Sequence, residues 1–175
     1  MMISGIRTTL LVLAAIGTAG AAFAQEETDN RVAAEADWGV FVSSDPMECL
    51  AVSRPEEMLN TRDGEVVEVR RGETRLFVFY RPGANVNGQV AFTGGYPFAG
   101  NSTVEMDVDG TKYELFVEGE WAWPAPEDDA TIVAAMKAGS KAVLAGRSGR
   151  GTNTQDTFSL IGFTAAVEEA ARRCN

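Results

Sequence analysis

Histidine is absent from this 175-residue sequence, and its absence excludes many kinds of catalytic chemistry. Without imidazole groups the chain cannot build Ser-His-Asp or Cys-His catalytic arrangements, nor most catalytic zinc sites. Carboxylates, Lys, Tyr, Ser and Thr are the reactive groups that remain. The sequence therefore predicts a protein that is not an enzyme, with no catalytic residue, no metal site and no cofactor.

Long apolar runs are absent after the first 24 residues. Within those residues, Arg7 precedes a compact apolar segment at 10–16, and Ala22-Phe23-Ala24 has the small-x-small pattern that signal peptidases accept. The apolar segment is shorter than the about 20 residues that a membrane-spanning helix needs. Residues 1–24 are therefore predicted to be a signal peptide cleaved after Ala24, which makes the protein periplasmic or secreted with no integral membrane span.

Cysteine is scarce, with one residue at Cys49 and the other at Cys174. In an exported protein an even number of cysteines indicates disulfide formation, and two cysteines allow one intramolecular pairing. Their separation is far from the C-x-x-C spacing of redox-active pairs. We therefore expect a structural Cys49–Cys174 disulfide, which on the chain-entropy model stabilises the fold by about 4–5 kcal/mol. Two free buried thiols are the alternative.

Positive charge is also in the minority, since 15 Lys and Arg stand against 25 Asp and Glu and leave a formal net charge of −10. A surface this acidic repels phosphate backbones and anionic lipid heads. The composition therefore predicts that nucleic acid is not a partner.

Short β-type runs separated by turn-forming residues follow one another from Trp38 to the C-terminus. About nine such runs predict a single domain over residues 38–175, mainly β, folded as an antiparallel β-sandwich or partly closed barrel with two short helices, one at the C-terminus. Residues 25–37 are polar and are predicted to be a flexible N-terminal lead-in. Residues 54–64 are rich in turn formers and are predicted to be a surface loop.

The clearest local pattern is the Asp-Gly pair at residues 109–110, which is typical of a two-residue type I′ hairpin turn. The register set by this turn places Val104 opposite Leu115 and Met106 opposite Tyr113. Most apolar side chains of both strands then lie on one face, and this sorting supports the hairpin.

A second hairpin is predicted between residues 66–70 and 75–80, with its turn at residues 71–74. Residues 76–79 are continuously apolar. This run indicates a central strand that is covered on both faces.

Two helices are predicted. Residues 128–138 have an acidic first turn, an apolar stripe and C-terminal signals at Lys137 and Gly139, and residues 164–173 have apolar residues at helical spacing. Cys174 continues the apolar stripe of the second helix, so a disulfide would attach this helix to the strand that carries Cys49. Residues 142–145 and 157–161 are predicted to be strands on either side of a Gly-rich turn.

Two glycine-bounded segments supply the candidate partner-binding residues. Residues 94–100 contain two aromatic rings, and residues 146–152 contain two arginines but lack the spacing of a phosphate-binding loop. The candidate residues are Tyr96, Phe98, Arg147 and Arg150. In the alternative interpretation, the rings fold back onto the core and the second segment is a tight turn with exposed arginines.

Trp121 and Trp123 allow the same two interpretations. Exposed rings can stack on sugars or anchor a protein partner, whereas buried rings close one end of a sandwich core.

The order of several motifs resembles the invasion-associated locus B family of Gram-negative bacteria. The resemblance covers almost all of the chain after the signal peptide and rests mainly on residues 77–83, 95–98, 135–139, 146–152 and 158–166. It implies a small exported protein of a family named for a member implicated in host-cell invasion. It implies no catalytic residue.

The preferred hypothesis is an exported, non-enzymatic binding or accessory protein of the bacterial envelope, linked to host-cell interaction in pathogenic relatives. Its partner would be an envelope or surface protein or a glycan, and its oligomeric state stays open. One alternative is a carboxylate-dependent hydrolase of envelope glycans, since 25 acidic residues offer many carboxylate pairs. Another is a purely structural role in envelope integrity.

Overall fold

The structure of the protein is a computed structural model that describes residues 30–174. The predicted signal peptide and residues 25–29 lie outside the described residues. The described chain forms twelve strands and two α-helices, with a short 3-10 turn at Pro82–Ala84. The strands are β1 Arg31–Glu35, β2 Trp38–Ser44, β3 Met47–Ser53, β4 Glu57–Arg62, β5 Glu65–Val66, β6 Arg75–Arg81, β7 Val86–Thr93, β8 Thr103–Val108, β9 Thr111–Glu118, β10 Trp121–Trp123, β11 Lys141–Arg147 and β12 Asn153–Ser159, and the helices are α1 Asp129–Ala138 and α2 Phe163–Arg173.

All the strands belong to one antiparallel sheet in the order β1-β2-β3-β6-β7-β10-β9-β8-β11-β12-β4-β5. The order is linear, so β1 and β5 form the two edges and the sheet does not close into a barrel. A mainly antiparallel β fold with two helices, one of them at the C-terminus, is confirmed.

The core lies on one side of the sheet, where α2 packs on β2 and β3 and α1 packs on β7. Trp38 is fully buried and meets the Phe163 ring edge-on, with 4.8 Å between ring centroids. Its indole Nε1 donates a hydrogen bond of 3.0 Å to the carbonyl oxygen of Ser159. These contacts tie the first core strand to the connection between β12 and α2.

The predicted disulfide is confirmed. Cys49 in β3 is bonded to Cys174 immediately after α2, with 5.9 Å between their Cα atoms and 125 positions between them in the sequence. Cys174 lies at the end of α2 and is buried, so the bond attaches the C-terminal helix to β3, the third strand from the β1 edge of the sheet.

The locally specified elements are also confirmed. Strands β8 and β9 pair in the predicted register, with Val104 opposite Leu115 and Met106 opposite Tyr113. Both helices lie within one residue of the predicted bounds. Two strands do flank the Gly-rich turn and pair along their whole length, but β12 begins four residues before the predicted strand at 157–161 and ends two residues earlier.

Three predictions for the N-terminal half need correction. The lead-in contains β1, which pairs with β2, and the loop predicted at 54–64 contains β4, which pairs with β12. The hairpin predicted around residues 71–74 is wrong, because β5 pairs with β4 while β6 lies between β3 and β7. Only the pairing of β4 with β12 joins strands that are distant in the sequence. The β1–β2 and β4–β5 pairs are hairpins with two-residue connections at residues 36–37 and 63–64, and the Asp-Gly pair at 63–64 is a short-range turn signal that the predicted loop overlooks.

Candidate functional site

The strands β3 and β6 carry apolar side chains on both of their faces. On β3, Ala51 is fully buried while its neighbours Leu50 and Val52 are partly exposed. On β6, Val78 is fully buried while Phe77 is partly exposed on the other side. A sheet that covers a core on one side usually presents polar residues on the other. The second face of these strands is therefore unusual.

The outward apolar side chains of β2, β3, β6 and β10 form one surface, which we call the aromatic face. Register places Phe41 opposite Leu50 and Leu50 opposite Phe79. The members of the aromatic face are Phe41, Leu50, Val52, Phe77, Phe79, Trp121 and Trp123. All are partly exposed except Phe79, which the Arg81 guanidinium covers at 4.2 Å from its ring centroid.

The rings of β6 and β10 meet across the intervening strand β7. Phe77 and Trp121 have centroids 5.4 Å apart, and Phe79 and Trp123 have centroids 6.2 Å apart. The β7 residue paired with Phe77 is Ala91, which is fully buried. Because alanine is small, the larger rings on either side close over it.

A groove with a volume of about 1590 Å³ runs over the part of the aromatic face formed by Phe41, Leu50, Val52, Phe77 and Trp121. Its apolar floor includes Phe77 and Trp121, and charged side chains line its rim. The charged rim residues are Arg31, Asp37, Arg54, Glu56, Glu73, Arg75 and Glu120. Aromatic floors with polar rims are typical of ligand-binding grooves.

Most of these rim charges are available to a ligand. Arg75 forms an ion pair with Glu73. Within residues 30–174, the side chains of Asp37, Arg54, Glu56 and Glu120 form no ion pair or hydrogen bond. The groove therefore combines partly exposed apolar rings with exposed charged groups that have no protein partner within residues 30–174.

The two predicted partner-binding segments do lie side by side. Phe98 and Ser148 form an antiparallel bridge, and the Gly149 amide donates a hydrogen bond of 2.9 Å to the carbonyl oxygen of Pro97. Phe98 is only 7% exposed and packs against Phe92, with 6.1 Å between ring centroids. Its ring therefore belongs to the core, and the alternative interpretation of this segment applies to Phe98.

Tyr96 is also held in place rather than presented to solvent. Its hydroxyl lies 2.5 Å from the Thr154 Oγ1, and its ring contacts the Phe98 ring edge-on at 4.9 Å. Burial raises the pKa of the Tyr96 hydroxyl above its usual value. Arg147 and Arg150 are exposed, so of the four candidate residues these two remain accessible.

Arg147 also lines a smaller groove, with a volume of about 370 Å³, on the β4, β11 and β12 part of the sheet. Polar neighbours there include Thr61, Asn153 and Gln155. A role of Arg147 and Arg150 in partner binding stays a prediction.

A buried ion pair that the sequence did not reveal lies beneath Tyr96. Arg71 donates to both carboxylate oxygens of Asp156 at 2.7 and 2.5 Å, and the two side chains are 4% and 0% exposed. Arg71 also donates to the carbonyl oxygen of Gly94 and to Asn60 Oδ1. The pair thus joins β4, β12, the segment before β6 and the bend after β7.

Gly95 stands where this network leaves no room for a side chain. Its φ of 72° is in the left-handed region, and an added Cβ would lie 2.5 Å from the Gly72 carbonyl oxygen. The Gly72 amide donates a hydrogen bond of 2.8 Å to the Gly95 carbonyl oxygen. The glycines in this bend therefore serve close backbone packing.

Two carboxyl groups have a pKa that burial raises. Asp129, in the first turn of α1, accepts a hydrogen bond from the Val90 amide at 2.8 Å. Burial also raises the pKa of Asp156, which Arg71 opposes. Neither residue lines either groove. Both carboxyls have structural partners, so they give no support to the hydrolase hypothesis.

Two further properties concern the described part of the chain. No group of three or more Cys, Asp or Glu side chains in residues 30–174 is arranged to hold a metal ion. No helix in these residues is both long and apolar enough to cross a membrane.

The fold and the surface define a small, mainly antiparallel β protein that is closed by a disulfide and carries an aromatic face. The chain belongs to the invasion associated locus B (IalB) family, whose family model matches residues 78–171. The resemblance inferred from the motifs is therefore confirmed. No curated protein sequence matches this chain.

The fold is similar to the crystal structure of invasion associated protein B from Bartonella henselae, with a TM-score of 0.55. The match covers 80% of this chain and 95% of the other, at 19% sequence identity. At this identity the similarity establishes a shared fold.

The aromatic face was only partly foreseen from the sequence. Trp121 and Trp123 were candidates for ring stacking, and residues 76–79 predicted a strand covered on both faces. The structure covers β6 with the core on one side and leaves Phe77 partly exposed on the other. One sequence signal could have revealed the aromatic face. In β3 and in β6 the residues that point to either side of the strand are apolar, whereas a strand with one solvent-exposed side usually alternates apolar and polar residues.

Proposed function

We propose that this protein is an exported, non-enzymatic binding or accessory protein of the bacterial envelope and that the aromatic face is its binding site. The observation that carries the proposal is the apolar outward surface on four strands whose other side already covers the core. Contiguous exposed apolar surfaces of this kind mark interaction sites in folded proteins. Large rings also supply much of the binding energy at such sites.

Export is supported by the disulfide and by the predicted signal peptide. Disulfides form and persist in oxidising compartments such as the bacterial periplasm. We expect the protein recovered from a periplasmic extract to begin at Gln25 on N-terminal sequencing. A cytoplasmic protein that retains residues 1–24 would contradict this part of the proposal.

The binding site is tested by cosedimentation of the purified protein with washed envelope fragments of the producing bacterium. A Phe77→Ser/Trp121→Ser variant is expected to bind at least tenfold less, because it removes two central rings of the aromatic face. The matched control is Val66→Ser, which removes an apolar side chain that is 73% exposed at the other edge of the sheet. Equal binding by all three proteins would refute the assignment of the site.

The earlier candidate surface provides a second comparison. An Arg147→Ala/Arg150→Ala variant is expected to bind like the unmodified protein if the aromatic face is the site. Loss of binding in this variant alone would move the site to the Gly-rich loop. Turnover of an envelope glycan by the purified protein would contradict the non-enzymatic role.

A further inference from the structure

The groove is elongated and open. Its lining extends from Arg31 on β1 to Trp121 on β10, which are separated by five inter-strand spacings in the sheet order. At about 4.8 Å per spacing the groove spans about 24 Å across the strands. A ligand that fills it is therefore an extended chain rather than a compact small molecule.

The floor of the groove offers side chains but no free backbone. Strands β2, β3, β6 and β7 each pair with a strand on both sides, so their amide and carbonyl groups are used within the sheet. An extended peptide usually binds a sheet by pairing with an exposed edge. On these four strands such pairing is not available, and of the strands that line the groove only the edge strand β1, at one end, has free backbone groups. Over the rest of the floor a ligand is recognised by rings and charged side chains.

The charges around the groove are nearly balanced. Its rim holds three arginines and four carboxylates, which leaves a formal charge of −1, whereas the whole chain carries −10. A polyanion would be repelled by the surrounding protein surface. The balanced rim instead suits an uncharged ligand with many hydroxyl groups, because planar guanidinium and carboxylate groups can each make two parallel hydrogen bonds.

The aromatic floor of the groove matches the apolar surface of such a ligand. Sugar rings carry apolar faces of C–H bonds, and the aromatic rings of Phe77 and Trp121 provide apolar surfaces of matching size. A lipid chain would leave the partnerless charges of Asp37, Arg54 and Glu120 next to hydrocarbon, which is unfavourable. Rings in the floor and hydrogen-bonding groups at the rim therefore favour a glycan.

We propose that the groove over the aromatic face binds an uncharged glycan chain of the bacterial envelope, with Phe77 and Trp121 as stacking rings and the rim charges binding its hydroxyl groups. This inference rests on the proposed function and names the ligand class for the same site.

The inference is tested with N-acetylglucosamine hexamer as the probe, using calorimetry and tryptophan fluorescence. Trp121 is partly exposed in the groove, whereas Trp38 borders the groove but is fully buried, so binding is expected to change the emission of Trp121 in a saturable way. The monosaccharide is expected to bind at least tenfold more weakly because it fills a small part of the groove. An alginate oligomer of similar length is expected to bind at least tenfold more weakly because it is anionic.

Variants locate the site. Trp121→Ala is expected to reduce the affinity for the hexamer at least tenfold, and Arg54→Gln to reduce it about threefold. The matched control is Phe116→Ala, which removes a 53% exposed ring that does not line the groove. Far-UV circular dichroism and the urea midpoint of each variant establish that it is folded.

Absence of any saturable signal at millimolar hexamer would overturn the glycan inference. So would a folded Trp121→Ala variant that binds the hexamer normally, or alginate binding as tight as that of the hexamer. If envelope fragments still bind through the aromatic face but are displaced by envelope peptides and not by the hexamer, the proposed function stands and the glycan inference fails. If the fragments do not bind at all, the proposed function fails as well.

Discussion

Replacing Arg71, whose side chain is buried in an ion pair with Asp156, is expected to destabilise the protein strongly. Arg71 and Asp156 are almost completely inaccessible to solvent, and two hydrogen bonds join the guanidinium to the carboxylate. Arg71→Met would leave the carboxylate buried without a counter-charge. Loss of one partner from a buried ion pair costs about 3–5 kcal/mol. That is a large part of the about 5–15 kcal/mol by which a typical domain is stable.

The matched control is Arg75→Met. Arg75 pairs with Glu73, but these side chains are 25% and 78% exposed, so the pair is open to solvent. Solvent-exposed ion pairs contribute about 0–1 kcal/mol. The two substitutions therefore remove the same side chain from the same segment and differ in burial.

The free energy of unfolding is measured by urea titration monitored by fluorescence. The same measurement is made on Asp156→Leu and on the Arg71→Met/Asp156→Leu double variant. Each single substitution in the buried pair is expected to lower the free energy of unfolding by about 3–5 kcal/mol. The double variant is expected to lose less than the sum of the two single losses, because the charges interact directly. The corresponding fall in melting temperature for Arg71→Met is roughly 6–20 °C. A loss within 1 kcal/mol of that caused by Arg75→Met would refute this reasoning.

Two other predictions concern the disulfide and the β8–β9 turn. Replacing Cys49 and Cys174 by Ala is expected to lower the free energy of unfolding by about 4–5 kcal/mol on the chain-entropy model, because the bond closes a loop of 125 positions; an unchanged urea midpoint would contradict it. Hydrogen bonds from the Ser140 amide and hydroxyl hold the pKa of the Asp109 carboxyl below its usual value. The stability that this carboxylate contributes is present above its unfolded-state pKa and is lost as the pH falls through its folded-state pKa. The urea midpoint of the Asp109→Asn variant is therefore expected to fall less than that of the unmodified protein between about pH 5 and pH 2. If the urea midpoints of the variant and the unmodified protein fall equally with pH, these hydrogen bonds contribute nothing to stability.

Several features were predictable because a short stretch of chain specifies them. A type I′ turn at residues 109–110 allows one register, and the structure has that register over β8 and β9. An acidic first turn and an apolar stripe locate α1, and apolar residues at helical spacing locate α2, each to within one residue. The pairing of Cys49 with Cys174 followed from the number of cysteines, since two permit one intramolecular bond.

The remaining features depend on which strands become neighbours. Turn formers in residues 54–64 predict a loop, whereas β4 within them forms a strand through pairing with β12 about a hundred residues later. Arg71 and Asp156 are 85 residues apart, so their ion pair has no local signature.

The aromatic face shows this division between local and tertiary information in one site. The residue types and spacing of Phe77, Trp121 and Trp123 are written in the sequence, and they identify rings that can stack on a ligand or fill a core. Sheet order brings β6 and β10 to either side of β7, where Ala91 lets the rings meet. The alternation of side chains along a strand shows which residues share a face. Which of the two faces is buried depends on how the strand packs in the tertiary structure. Here packing places the core on one side of the sheet and leaves these rings at the surface.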